Sequence, residues 1–164
     1  MWSPGLDNLL KACIRLRCFT LRCDEIPAQV LDAISESMER LSFDGTTFEA
    51  ADSRAMPLLE LPALVQKLES KTSLPHLVAL SYTPYTYDTL QFLSSAINSR
   101  DFSERDWARG LVEDIDILQK CCDERDIVLS DKGNLLEVKE KAEELEGILD
   151  TYGRILMGVG FADE

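Results

Sequence analysis

The feature that most constrains the fold is a run of apolar residues near the end of the chain, spaced alternately three and four apart. Its members are Leu135, Val138, Ala142, Leu145, Leu149, Tyr152, Leu156 and Val159. This spacing predicts a long amphipathic helix at about residues 134–158. A second periodic run predicts a helix at about residues 103–126, and Lys132-Gly133-Asn134 predicts a turn between the two. The sequence therefore predicts a long antiparallel helical hairpin at the end of the chain.

Three glycines, Gly147, Gly153 and Gly158, lie inside or at the end of the predicted last helix. Each costs up to about 1 kcal/mol relative to alanine in a helix interior. We therefore expect either a kink in this helix or the close approach of another backbone at these positions.

Shorter periodic segments predict further helices upstream. Apolar residues recur at helical spacing after Pro27 as far as Leu41, again after Pro62, and again from Asp88 to about Asn98. The first segment, from Leu6 to about residue 18, favours a helix, although its second half also alternates as a strand would. The sequence shows no internal repeat of 20 to 50 residues by eye.

Together these patterns predict a mainly α fold with five or six helices, ending in the hairpin. The alternative is an α+β fold with one or two short strands near residues 14–20 and 76–82. The length of 164 residues fits a single helical domain, residues 1–164. Turn-forming and small residues at 44–56 predict a flexible loop.

Charge is distributed unevenly along the chain. The formal net charge is -13, which disfavours nucleic acid and anionic lipid as partners. Residues 8–23 nevertheless carry four basic and no acidic side chains, whereas residues 101–164 carry 18 acidic and 8 basic ones. Three interpretations remain open at this point. The basic segment packs on the acidic helices, or one of the two surfaces docks a partner of opposite charge, or the basic segment lies on a membrane.

The sequence lacks the residues that several kinds of catalytic, phosphate-binding and metal-binding site require. Glycine-rich phosphate-binding motifs are absent from the sequence, and the one histidine, His76, excludes a histidine-rich metal site. The cysteines, Cys13, Cys18, Cys23, Cys121 and Cys122, do not follow zinc-site spacing, and the residues around Gly133 do not follow a calcium-binding loop. Carboxylates are so frequent that no single pair is indicated as an acid and base. We assign no catalytic residue, cofactor or metal.

The sequence thus favours a non-catalytic protein-interaction module, an adaptor or a subunit of a larger assembly. We expect it to bind through the amphipathic hairpin and the oppositely charged ends. The candidate partner-binding residues are Arg15, Arg17, Leu136, Ile148, Tyr152 and Ile155. The expected partner is another protein or a second copy of the chain.

The alternative is a small cysteine-dependent enzyme. Its nucleophile would be Cys18 or Cys23, because the adjacent Arg17 and Arg22 favour a thiolate. No apolar run is long enough for a membrane span and no signal-peptide pattern is present, so we expect a cytoplasmic or nuclear location.

Overall fold

The computed structural model describes residues 4–22, 29–44, 61–83, 86–99, 104–130 and 132–156. Helices make up most of these residues. The helices are α1 (Pro4–Ala12), α2 (Gln29–Ala33), α3 (Leu61–Glu69), α4 (Thr86–Ser99), α5 (Arg105–Glu124) and α6 (Lys132–Leu156). The strands are β1 (Cys18–Arg22), β2 (Arg40–Asp44), β3 (Ala79–Thr83) and β4 (Val128–Ser130).

The four strands form one parallel sheet in which the spatial order is the chain order, β1-β2-β3-β4. Cys18, Arg40, Ala79 and Val128 share one row of the register, and Thr20, Ser42, Ser81 and Ser130 share another. The connection between two parallel strands of a sheet is right-handed. Because each strand here pairs with the next strand of the chain, all the connecting helices lie on the same side of the sheet.

The side of the sheet that faces the helices is apolar. Along each strand, residues that point into the core alternate with residues that point away from it, as the period of two requires. The inward residues are Phe19 and Leu21 on β1, Leu41 and Phe43 on β2, Leu80 and Tyr82 on β3, and Leu129 on β4. Phe43, Leu80 and Tyr82 are almost completely buried and belong to the same hydrophobic core as the helices.

The two longest helices pack on each other, and α6 also packs on α4. Three ion pairs join α5 to α6: Arg105 with Asp150, Arg109 with Glu146, and Asp116 with Lys139. Because residue numbers rise along α5 while those of the partners fall along α6, the helices run antiparallel. The heptad residues Leu135, Val138, Ala142, Leu145 and Leu149 are buried, so this stripe of α6 is core.

The mainly α composition is confirmed, and the helices predicted after Pro62, near Asp88, at 103–126 and at 134–158 are all present. The sheet is larger than the sequence predicted. The two expected strands overlap β1 and β3, whereas β2 and β4 were not anticipated.

Three local predictions are wrong. The helix expected to reach Leu41 ends at Ala33, because Leu41 and Phe43 pair in β2 and strand pairing prevails over helical spacing. The helix expected to reach residue 18 ends at Ala12. The turn expected at Lys132-Gly133-Asn134 is the first turn of α6, and β4 forms the connection instead.

Of the two outcomes expected at the glycines of the last helix, the close approach of another backbone does not occur at Gly147 or Gly153. The α6 helix is continuous from Lys132 to Leu156. A Cβ atom placed on Gly147 or Gly153 would meet no other atom within 4 Å, so no backbone approaches closely there. The predicted loop begins at the last residue of β2, and its remainder, like Cys23 and Gly158, lies outside the described residues.

Candidate functional site

The second face of the sheet is the most unusual surface of the molecule. Parallel sheets are normally covered on both faces, yet here the outward residues of all four strands are exposed or half-exposed. We call this surface the open face. Its strand residues are Cys18, Thr20 and Arg22 on β1, Arg40 and Ser42 on β2, Ala79 and Ser81 on β3, and Val128 and Ser130 on β4.

The chemistry of the open face changes from one edge to the other. On β1 and β2 it is cationic, with Arg22 and Arg40 exposed, whereas at β3 and β4 it is apolar. Val128 is 66% exposed, and Val78, which immediately precedes β3, is 51% exposed. The row of hydroxyl side chains, Thr20, Ser42, Ser81 and Ser130, crosses all four strands. One surface thus combines arginines, hydroxyls and apolar side chains.

Main-chain hydrogen bonds fix the strands where they begin. The Arg17 carbonyl accepts from the N–H groups of Glu39 and Arg40 at 2.7 and 2.9 Å. The Glu39 carbonyl accepts from Val78 at 2.8 Å, and the Val78 carbonyl accepts from Val128 at 2.9 Å. The same linkage therefore repeats from strand to strand.

Two serines tie the segment before β1 to the segment before β2. The Ser35 hydroxyl donates to the Ile14 carbonyl at 2.9 Å, and the Ser37 hydroxyl lies 3.0 Å from the Leu16 carbonyl oxygen. These contacts explain why the chain leaves the helix at Ala33, since the serine side chains bind backbone of the preceding segment. They set the position of β2 beside β1.

The predicted partner-binding residues do not form one site. Arg15 and Arg17 precede β1, where Arg17 Nε lies 3.5 Å from Glu39 Oε1 on the side chain that precedes β2. Leu136, Ile148, Tyr152 and Ile155 are all on α6, which packs on α4 and α5. Leu136 and Ile155 are 19 residues apart, which is about 28 Å along a helix. Of the six, Arg17 alone borders the open face.

A cleft of about 540 Å³ lies at the amino ends of the strands. Its apolar wall includes Leu10, Ile14 and Ile34, and its rim carries Lys11, Glu36 and the exposed His76. The single histidine therefore stands in an open, mixed surface. This arrangement does not single out a catalytic base.

The described cysteines lie in different environments. Cys18 is exposed on the open face, whereas Cys121 and Cys122 are buried in α5. Burial raises the pKa of the Cys121 thiol, and the carboxylates of Glu69 and Glu124 raise it further, so this thiol stays protonated at neutral pH. Within the six described ranges, no group of three or more His, Cys, Asp or Glu side chains is placed to hold a metal ion.

Acidic side chains on α5 and α6 form a charged helix surface. Burial raises the pKa of Asp114, and the neighbouring Glu113 adds to this effect. The hydrogen bond from Lys139 Nζ to Asp116, 2.6 Å long, is the largest cause of the raised pKa of Lys139. These contacts are typical of paired charges that hold two helices together.

The sequence did contain a signal for the open face. An apolar pattern, in which residues one, four and six are apolar, begins at Leu16, at Met38 and at Leu77. Each occurrence leads into β1, β2 or β3, and the third and fifth positions of the pattern lie on the open face. The intervals of 22 and 39 residues are unequal, which conceals the repeat from a search at a fixed period.

Comparisons with protein-family models, curated proteins and solved structures find no match to this chain. Among the described helices, none is both long enough and apolar enough to cross a bilayer.

Proposed function

We propose that this chain is a non-catalytic protein-interaction module that binds its partner on the open face of the sheet. The observation that carries the proposal is the open face itself. An all-parallel sheet with one face in the core and the other accessible is an exception to the usual two-sided covering. A rigid, accessible, chemically mixed surface of this kind suits recognition of another protein.

The repeated pattern supports the same proposal. Apolar residues at positions one, four and six of a strand-forming segment, followed by a helix, are typical of leucine-rich repeats. Stacked repeats of one strand and one helix build extended sheets whose strand faces serve as binding surfaces. The interval of 22 residues between the first two patterns lies within the usual length of such a repeat.

The carboxyl-terminal part of α6 is a second candidate surface. Ile148, Tyr152 and Ile155 follow one another at spacings of four and three, which places them on one face of the helix. Ile155 is 57% exposed, and Ile148 and Tyr152 are half-buried. This stripe keeps the hypothesis that the hairpin binds a partner.

Site-specific photo-crosslinking distinguishes these surfaces. A photoreactive amino acid is introduced at Ser42 on the open face, at Gln66 on the exposed side of α3, or at Leu136 on α6. Each full-length variant is irradiated in a lysate of its native cell, and products are identified by mass spectrometry. We expect one protein to be crosslinked in high yield from Ser42 and only at background level from Gln66.

The Gln66 variant is the control, since its photoreactive group is exposed to the lysate on a helix outside the open face. Products of equal yield from Ser42 and Gln66, or a product obtained from Leu136 alone, would contradict binding on the open face.

A further inference from the structure

The charge on the open face runs against the charge of the whole chain. The formal net charge is -13, but the exposed charges at the β1 and β2 end of this face include Arg17 and Arg40, next to Glu39. Arg17 and Glu39 lie 3.5 Å apart, with their side chains 73% and 41% exposed, so water screens this pair and it satisfies Arg17 only weakly. A cationic area on an acidic molecule favours an anionic ligand.

Arg40 is the central cation of this area. It is exposed in the second of four strands, and none of the described residues forms an ion pair or hydrogen bond with its guanidinium. In the register it stands between Cys18 and Ala79, two side chains that are too short to cover it. A guanidinium in such a position presents its planar set of donors to a carboxylate.

The apolar end of the face lies in the same row of the register as Arg40. Ala79 and then Val128 follow Arg40 across the sheet, and Val128 is 66% exposed. Neighbouring strands lie about 4.8 Å apart, so Arg40 and Val128 are separated by about 10 Å. A peptide in the extended polyproline II conformation has three residues per turn and rises about 3.1 Å per residue, so side chains three positions apart point to the same side and lie about 9 Å apart.

We infer that the open face binds an extended acidic segment of its partner, laid across the strands. A carboxylate of that segment contacts Arg40, and an apolar side chain three positions away packs on Val78 and Val128. The parallel row that contains the hydroxyls of Thr20, Ser42 and Ser130 lies beside this path, where it offers hydrogen bonds to the peptide backbone. This inference rests on the proposed function, because it specifies the ligand of the same surface.

Selection from a random dodecapeptide library tests the spacing directly. The library is displayed and panned on the immobilised full chain, and enriched sequences are counted. We expect enrichment of an Asp or Glu separated by two residues from a Leu, Ile, Val or Phe, above all other spacings of the same residues. Enriched peptides that lack acidic residues, or a failure to enrich any peptide, would overturn the inference.

Charge reversal tests the arginine contact in the selected peptides. Binding is measured by fluorescence anisotropy with the most enriched peptide and with its acid-to-amide counterpart. We expect Arg40→Glu and the amide peptide each to weaken binding about tenfold or more. The matched control is Arg154→Glu, which makes the same change at an exposed arginine of α6 and is expected to leave affinity within about twofold.

Val128→Asp provides an independent test at the apolar end of the face. We expect it to weaken binding of the same peptide, and circular dichroism verifies that each variant is folded. Unchanged affinity in folded Arg40→Glu and Val128→Asp would overturn the inference. The inference would also be overturned if a second copy of the chain bound this face. That result would appear as concentration-dependent dimerisation that Arg40→Glu abolishes.

The inference and the proposed function fail separately. Crosslinking from Ser42 to a partner, without selection of acidic peptides, would refute the acidic segment and leave the open face as the binding surface. Failure of crosslinking from Ser42 would refute the proposed function whatever the library yields.

Discussion

At the scale of single residues, Arg125 joins separate segments of the chain through three hydrogen bonds. Its guanidinium donates to the carbonyl of Leu68 near the end of α3 at 3.0 Å, and to those of Ser73 and Leu74 at 3.0 and 2.7 Å. Leu74 is buried with φ of 51°, a left-handed conformation that is costly for a residue with a side chain. Arg125 thereby stabilises the turn that leads into β3.

We expect Arg125→Lys to lower the free energy of unfolding by about 2 kcal/mol, because an ammonium cannot donate to three carbonyls with the same geometry. The measurement is urea denaturation followed by circular dichroism. Arg154→Lys, the same substitution at an exposed site on α6, is the control and should change stability by less than about 0.5 kcal/mol. Equal midpoints for the two variants would show that the three hydrogen bonds contribute little.

At the scale of elements, α6 is a continuous helix with glycine in its interior. Gly147 lies just past the middle of this helix, is exposed, and has open space where a Cβ would be. Glycine at this position lowers the stability of the helix, because on folding its backbone loses more conformational freedom than that of alanine.

Gly147→Ala is therefore expected to stabilise the protein by about 0.5–1 kcal/mol. This gain corresponds to a rise in Tm of about 2 °C for a chain of this size, measured by scanning calorimetry. Gly153→Ala, nearer the end of the helix, should give a smaller rise because terminal turns fray. A lower Tm for Gly147→Ala would mean that a neighbouring segment occupies the open space.

The elements also show why sequence patterns predicted the helices better than the sheet. The long apolar patterns of α5 and α6 fit a helix and do not fit a strand. The sequence therefore predicted the ends of both helices to within a few residues. Leu41, by contrast, continues the helical spacing that begins at Val30, while Leu41 and Phe43 also fit a strand. The pairing of Leu41 with Phe19 and Leu80 favours the strand over the helix. These residues are far apart in the sequence, so a pattern read over a short window cannot predict their contact.

The candidate site was still harder to predict. Its residues are short or polar side chains such as Thr20, Ser42 and Ser81, which carry no catalytic or metal-binding motif. They become a surface only when four strands pair in register. Arg17 was found because basic residues cluster before β1, whereas Arg40 lies in an otherwise acidic stretch and was missed.

At the scale of the whole molecule, the chain order of the sheet separates opposite charges in space. The basic segment that contains Arg15 and Arg17 leads into β1 at one edge, while β4 at the other edge contacts the acidic α5. Arg17 pairs with Glu39 rather than with a residue of α5 or α6. The chain thus carries a separation of charge that would orient an approaching charged partner.

We expect partners to bind the open face and not the helical layer. The most direct test is methyl NMR of the full chain, labelled at alanine, valine, leucine and isoleucine methyl groups, with and without the partner purified on the tagged protein. Binding on the open face predicts chemical-shift changes at Ala79 and Val128, with Leu136 and Ile155 on α6 unchanged. Changes at Leu136 and Ile155, with Ala79 and Val128 unaffected, would contradict it.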